Sequence, residues 1–162
     1  MILEIAFNEI NYREHNTIYF ASIWKKVLKK QKQNMYYGLV LIIFGISIIC
    51  GKNNIGFVLV FLGANGIMFW FRIYSHYQVA KRIYLKLIDK NVKEYLAHDQ
   101  VSVWNLTDDY FHYYDYKLDV KMKWIALTGY RVIGNIIIVD SNVGICFILS
   151  RGEIGTQNFN EF

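Results

Sequence analysis

The chain has 162 residues, a hydrophobic content of 54%, no proline and a formal net charge of +5. This length leaves room for one modest domain beside a membrane segment. The positive charge does not indicate nucleic-acid binding, because most lysines and arginines flank hydrophobic runs, where anionic lipid headgroups are the nearer partner. Cys50 and Cys146 lie in separate regions of the predicted topology, so we expect no disulfide between them.

Residues 1–11 are predicted to form a short strand that joins a β domain later in the chain. Leu3, Ile5 and Phe7 share one face of this strand, which should be half-buried. Deletion of the strand should destabilise the β domain, because it covers an otherwise unpaired sheet edge.

Residues 12–32 are predicted to form an amphipathic helix with lysines opposite its apolar stripe. These lysines either bind lipid headgroups or only fix the topology while the stripe packs on the soluble domain. The predicted membrane-headgroup contacts are Lys25, Lys26, Lys29, Lys30, Lys32, Arg72, Lys81 and Arg82.

Residues 33–73 are predicted to form a transmembrane hairpin with helices at 33–51 and 53–73. Two charge-free runs, 33–51 and 53–71, are separated by Lys52 alone. Each run would span about 28 Å as a helix, close to the roughly 30 Å hydrocarbon core. Basic residues flank the hairpin on both sides, whereas its tip carries one lysine, so both termini are expected in the cytoplasm.

Small residues recur along both predicted spans and indicate close helix packing. We also expect Asn65 to form an interhelical hydrogen bond, within the hairpin or across a homodimer, rather than to mark an ion or substrate path. The predicted hairpin-packing residues are Gly38, Gly45, Gly56, Gly63, Asn65 and Gly66.

Residues 74–97 continue as a cytoplasmic helix, and residues 98–162 are predicted to form the β domain. Alternation around residues 118–124 is the cleanest two-residue period and places Trp124 on a buried face. With the N-terminal strand, six strands in this segment would make a small antiparallel sandwich or open barrel. The predicted strands are 101–106, 110–114, 118–124, 128–133, 135–140 and 144–150, followed by a short helix at 157–162. The predicted core includes Leu3, Ile5, Phe7 and Trp124.

The sequence contains no recognisable catalytic or metal-binding pattern. The four histidines lie singly on different elements, and neither nucleophile nor phosphate-binding motifs occur. Asp108 and Asp109 are adjacent, so their side chains point in different directions, and they fit a turn better than a catalytic pair. We therefore expect no enzymatic activity, no metal and no cofactor.

The layout of strand, helix, two spans, long helix and β-rich tail resembles the YcxB-like membrane protein family over nearly the whole chain. The tail of that family has an edge pair, a tryptophan before a strand, and a strand that enters an Ile-Pro-Lys-like segment. Val101–Tyr114, Trp124 and Phe147–Arg151 stand in those places here, although Ser150 replaces the proline. The resemblance implies a multi-pass bacterial inner-membrane protein whose tail is a pleckstrin-homology-like barrel, and it implies no catalytic residues.

The fold class expected is therefore an α+β membrane protein, with the hairpin inserted after the first strand of the β domain. We expect a non-enzymatic, membrane-anchored interaction module whose β domain binds a protein or a lipid headgroup. One alternative is an immunity protein that protects against an antibacterial toxin acting at the inner membrane. Another is an oligomeric channel or transport accessory subunit.

Overall fold

The structure, a computed structural model, describes residues 1–98 and 101–155 and has an α+β fold. The described chain divides into two compact units. The hairpin unit is Phe20–Lys86, and the β unit combines Met1–Tyr19 with the chain from Leu87 onward. The long helices are α1 (Glu9–Cys50) and α2 (Ile55–Ala97), and residues 151–155 are also helical. The strands are β1 (Ile2–Ala6), β2 (Val101–Leu106), β3 (Tyr110–Tyr114), β4 (Asp119–Lys123), β5 (Leu127–Ile133), β6 (Ile136–Ser141) and β7 (Cys146–Ser150). The helix predicted at 157–162 lies outside the described residues.

Each predicted span is continuous with the amphipathic helix next to it in sequence. The helices predicted at 12–32 and 33–51 form one helix of 42 residues, α1, because no proline or glycine interrupts the join. The Asn8 side-chain oxygen accepts a hydrogen bond from the Asn11 amide at 3.1 Å and caps α1, as the Asn53 oxygen caps α2 through the Ile55 amide at 3.0 Å.

Both helices contain segments long and apolar enough to cross a membrane. Only 11% of the most apolar window of each helix is buried inside the protein. A core helix of a soluble protein would bury most of such a window, so these segments have apolar surfaces that the protein itself does not cover.

Four glycines bring the two helical backbones of the hairpin unit into direct contact. A Cβ atom added at Gly63 would lie 2.5 Å from the Gly38 carbonyl oxygen, and one added at Gly56 would lie 2.5 Å from the Gly45 carbonyl oxygen. No side chain fits at such distances. The hairpin is therefore packed backbone against backbone at two levels, as small residues permit.

The strands of the β unit form two separate antiparallel sheets. The order in the first is β1-β2-β3-β4, and the order in the second is β5-β6-β7. The described strands form no closed barrel, so the expectation of a pleckstrin-homology-like barrel is not supported. The 3₁₀ turn Trp124–Ala126 lifts the chain out of the first sheet after β4, and β5 then pairs with β6 alone.

The first strand pairs with β2 despite the two long helices between them in sequence. The register runs from Ile2 opposite Asn105 to Ala6 opposite Val101. Leu3 and Ile5 pack against the core, and the Phe7 ring stacks on a tyrosine of α2, Tyr95, at 4.7 Å. The β unit therefore draws its first sheet from both ends of the described chain.

Aromatic side chains fill the core between the sheets. Trp104 contacts Phe111 and Phe147 edge-on, with ring centroids 5.5 and 5.7 Å away. Trp124, expected in this core, is instead 39% exposed. The two-residue period of β4 ends before it, and its indole N–H donates to the Thr107 carbonyl oxygen at the core's margin.

Candidate interaction site

Strand β5 has an unusually exposed surface for a strand in a small domain. All five residues between its two ends are exposed, including Tyr130 at 64% and Val132 at 53%. On one side β5 pairs with β6, whereas on the other no strand of the described chain is its neighbour. This edge therefore presents backbone donors and acceptors of the kind that an added strand can use.

The turn between β5 and β6 determines which β5 groups point outward. Gly134 has φ +61°, as the first central residue of a type II′ two-residue hairpin requires. The closing pair of such a turn, Ile133 and Ile136, exchanges both hydrogen bonds, and bonded and non-bonded pairs alternate from there. Tyr130 and Val132 fall in the non-bonded pairs, so their N–H and C=O groups face the free edge.

An apolar pocket of about 270 Å³ opens beside this edge. No charged side chain lines it, and a Cβ atom added at Gly129 would meet nothing within 4 Å, so the β5 side of the pocket is open. Its volume is near the lower end of ligand pockets, which begin at about 300 Å³. The lining residues are Trp104, Leu106, Phe111, Trp124, Leu127, Thr128, Gly129, Tyr130, Ile137 and Val139. We call the free edge of β5 and this pocket the β5 site.

Polar contacts hold β5 on β6 and neutralise the charge at the strand. Arg131 donates two hydrogen bonds to the Asp140 carboxylate, at 2.9 and 3.0 Å. Cys146 donates to the same carboxylate at 3.2 Å, and burial raises the pKa of its thiol, which lowers the thiolate fraction at neutral pH. Strand β5 is therefore held on β6 by side-chain contacts, and the charge of Arg131 beside the β5 site is balanced by Asp140.

The predicted headgroup contacts are mostly exposed. All are exposed except Lys81, which is half-buried. None of them forms a salt bridge with an acidic side chain among residues 1–98 and 101–155. The Lys32 ammonium lies 5.9 Å from the Tyr36 ring centroid, a cation–π geometry. Their charges therefore remain uncompensated by carboxylates within the described chain.

Asn65 makes a different hydrogen bond from the one expected within the hairpin. Its side chain is exposed, and its amide nitrogen donates to the Phe61 carbonyl oxygen of the same helix at 2.8 Å. Asn65 points away from the face that carries Gly56 and Gly63, so the described hairpin unit shows no interhelical bond from it, and the alternative of a bond across a homodimer stays a prediction. A Cβ atom at Gly66 would lie 3.5 Å from the Asn34 carbonyl oxygen, an ordinary contact.

A carboxylate in the β unit connects α2 to the loop between β3 and β4. Asp115 accepts hydrogen bonds of 2.6 Å from the hydroxyls of Tyr95 and Tyr113, and further bonds from the Lys117 and Leu118 amides. Burial alone would raise the pKa of Asp115, but these donors outweigh it and hold the pKa below its ordinary value. This constellation stabilises structure rather than offering a catalytic base, since its acceptor oxygens are occupied.

A smaller cavity of about 100 Å³ includes His15 and Glu153, which the sequence did not bring together. His15 is 7% exposed, and its Nδ1 lies 3.8 Å from a Glu153 oxygen. That carboxylate already accepts hydrogen bonds from the Ser150 amide and hydroxyl. The cavity is too small for most substrates, and no cluster of three or more metal-ligating side chains exists in the described part of the chain.

Comparisons with known proteins found no family model, no curated protein and no solved structure that matches this chain. The resemblance to the YcxB-like family therefore stays a prediction.

Proposed function

We propose that the protein is a non-enzymatic, membrane-anchored interaction module that binds an extended segment of a partner protein at the β5 site. The hairpin inserts into the bacterial inner membrane, and the β unit stays in the cytoplasm with both termini. The observation that carries this proposal is the combination of a free strand edge with an apolar pocket beside it.

The membrane part of the proposal is supported by exposed apolar surface and by charge. The most apolar windows of α1 and α2 are largely uncovered by protein. Lysines and arginines flank both spans, whereas the turn between the helices carries Lys52 alone, a distribution that favours cytoplasmic termini. The YcxB-like resemblance, which implies the same location, agrees with this proposal.

The chemistry of the β5 site favours a protein partner over a lipid headgroup. Headgroup phosphates need cationic ligands, yet no lysine or arginine lines the pocket, and Arg131 is paired with Asp140. A peptide strand can satisfy the outward groups of Tyr130 and Val132 with its own backbone. Since side chains alternate along a strand, one apolar side chain of the partner would then enter the pocket.

The membrane topology can be tested with reporters and thiol labelling. A reporter that is active only in the cytoplasm should be active when it is fused after residue 162. For thiol labelling, Cys50 and Cys146 are replaced by serine and a cysteine is placed at position 52. This cysteine should react with an impermeant thiol reagent from the periplasmic side. A cysteine at position 2 should be protected in the same cells. A periplasmic C-terminus would contradict the proposal.

The binding site can be tested by photo-crosslinking in living cells through a benzophenone amino acid at position 130. We expect adducts with a discrete protein. Val132→Pro should abolish them, because it removes one outward N–H while leaving the bonds to β6 intact. Val132→Thr keeps the N–H and should preserve them.

Three outcomes would separate the hypotheses. Adducts only with lipid, or adducts unaffected by Val132→Pro in a folded protein, would contradict binding by strand addition. A secreted antibacterial toxin as the crosslinked protein would favour the immunity function. Normal hydrogen exchange in β6 would show that the proline variant is folded.

A further inference from the structure

One exposed face of α2 has a regular spacing that the packing of the hairpin does not explain. Its positions recur at alternating steps of three and four residues, the spacing by which two helices pack along a common seam. We call this surface the outer face of α2. It consists of Ile55, Val58, Leu62, Asn65 and Phe69, and the four apolar members are between 52% and 63% exposed.

The outer face lies on the side of α2 away from α1. Gly56 and Gly63 mark the side in contact with α1. At roughly 100° per residue, the centre of the outer face is about 130° around the helix axis from these glycines. Nothing within the described hairpin unit therefore covers it.

Asn65 gives this apolar face a polar centre. It lies about 5 Å along the helix from the midpoint of the charge-free run 53–71, deep in the hydrocarbon if the hairpin spans the membrane. The amide donates one hydrogen bond to Phe61. Its oxygen and second N–H have no partner in the described chain, and leaving such groups in lipid costs free energy.

Membrane topology restricts what can satisfy this amide. The charge distribution favours one insertion direction for every copy, so a symmetric pair would have its two-fold axis along the membrane normal. Each residue of one α2 then faces the same residue of the other at equal depth. A carboxamide carries both donors and an acceptor, so two Asn65 side chains can bond to each other.

We infer that a second copy of this chain packs on the outer face of α2, with Asn65 of each copy hydrogen-bonded to the other. The inference rests on the proposed membrane insertion. Leu62 and Phe69 lie on either side of the amide pair along the seam and would exclude lipid from it. The product is a parallel homodimer through α2, with the glycine contacts of each hairpin left intact.

The test uses the full chain with Cys146→Ser, labelled at Cys50 with donor or acceptor dyes and reconstituted in phosphatidylethanolamine and phosphatidylglycerol vesicles. Energy transfer is measured as lipid dilutes the protein. We expect energy transfer to fall as lipid dilutes the protein. Asn65→Leu should need protein-to-lipid ratios about 3- to 30-fold higher for the same transfer, which corresponds to the measured strengths of interhelical hydrogen bonds in membranes. Asn65→Gln keeps an amide and should restore most of the association.

Phe61→Leu is the matched control, since Phe61 is 69% exposed about one helical turn from Asn65 and does not belong to the outer face. It should leave energy transfer unchanged. Equal association of wild type and Asn65→Leu, a larger effect of Phe61→Leu, or no transfer at the highest protein density would each overturn the inference. Alkaline carbonate extraction of the same samples reports insertion separately: a protein that is extracted refutes the membrane anchor itself, whereas an inserted monomer refutes only the dimer.

Discussion

The hairpin unit and the β unit achieve close packing by opposite means. In the hairpin unit the tightest contacts join backbones at glycines, with Gly38 opposite Gly63 and Gly45 opposite Gly56. In the β unit large side chains fill the space between two sheets, and Phe111 and Leu149 are almost completely buried there. A substitution that enlarges a residue should therefore damage the first unit, and one that shrinks a residue should damage the second.

The largest expected effect is in the aromatic core. Phe111 is 2% exposed and touches both Trp104 and Phe147. Phe111→Ala should destabilise the β unit by about 3–5 kcal/mol because it leaves a cavity. Hydrogen exchange of the detergent-solubilised full chain should show faster exchange in β2, β3 and β7, with peptides from 38–63 unchanged. Equal loss of protection in both units would contradict independent packing.

The second largest effect is expected in β1, the strand formed by the N-terminal residues. Ile5→Asp places a charge against the core and should cost about 2–4 kcal/mol. Ile2, 65% exposed on the other face of β1, provides the control, and Ile2→Asp should be nearly neutral. Deletion of residues 1–7 should resemble Ile5→Asp. Stability is measured as the urea concentration at which β2 loses half of its protection from hydrogen exchange. A fragment of residues 98–162 that is as stable as the same residues in the full protein would contradict the role of β1.

The hairpin unit should respond to a single added methyl group. Gly63→Ala puts a Cβ 2.5 Å from the Gly38 carbonyl oxygen and should force the helices apart at a cost of about 1–3 kcal/mol. At Gly66 the same change makes only an ordinary contact, so Gly66→Ala should be tolerated. The difference between these two variants, measured as thermal stability in mild detergent, tests the backbone packing. Identical melting curves would count against it.

The smallest effect concerns Asp115. Asp115→Asn leaves one neutral oxygen to accept hydrogen bonds and turns an NH2 group toward two of the four donors, so it should cost about 1–2 kcal/mol at neutral pH. Since the folded-state pKa of Asp115 is lowered, its contribution is present above the ordinary carboxyl pKa, near 4, and is lost as the pH falls through the lower folded value. The destabilisation of Asp115→Asn relative to wild type should therefore shrink below about pH 4, as followed by hydrogen exchange at α2 and β3.

Local patterns in the sequence predict the elements well. Alternating side chains predict β2 and β3 at their observed bounds, and glycine spacing picks out the four residues at the hairpin contacts. The predictions that the structure does not support concern how the elements are arranged relative to one another. Sequence periodicity cannot show that the turn at Trp124 separates two sheets, since closure of a barrel depends on pairing between distant strands.

The candidate site was missed for a similar reason. The sequence of residues 128–133 predicts a strand but not its neighbours, and only the sheet order shows that its outer edge has no described neighbour. The direction of the Asn65 side chain also could not be predicted from the sequence, because it depends on which side of α2 packs on α1 through its glycines. The sequence did contain one signal for the free edge, Gly129 within the strand, since glycine in a strand often marks a close approach or a bulge.

The pairing of β1 with β2 has a consequence for biogenesis. The Met1 ammonium group bonds to the Leu106 carbonyl oxygen, 105 positions later in the chain. At about 5–20 residues per second, a ribosome needs roughly 5–20 s to make that interval. Both helices are made within this interval, while β1 has no partner strand. The proposed insertion of the spans can therefore begin before the first sheet exists, and β1 stays unpaired until the tail has been synthesised.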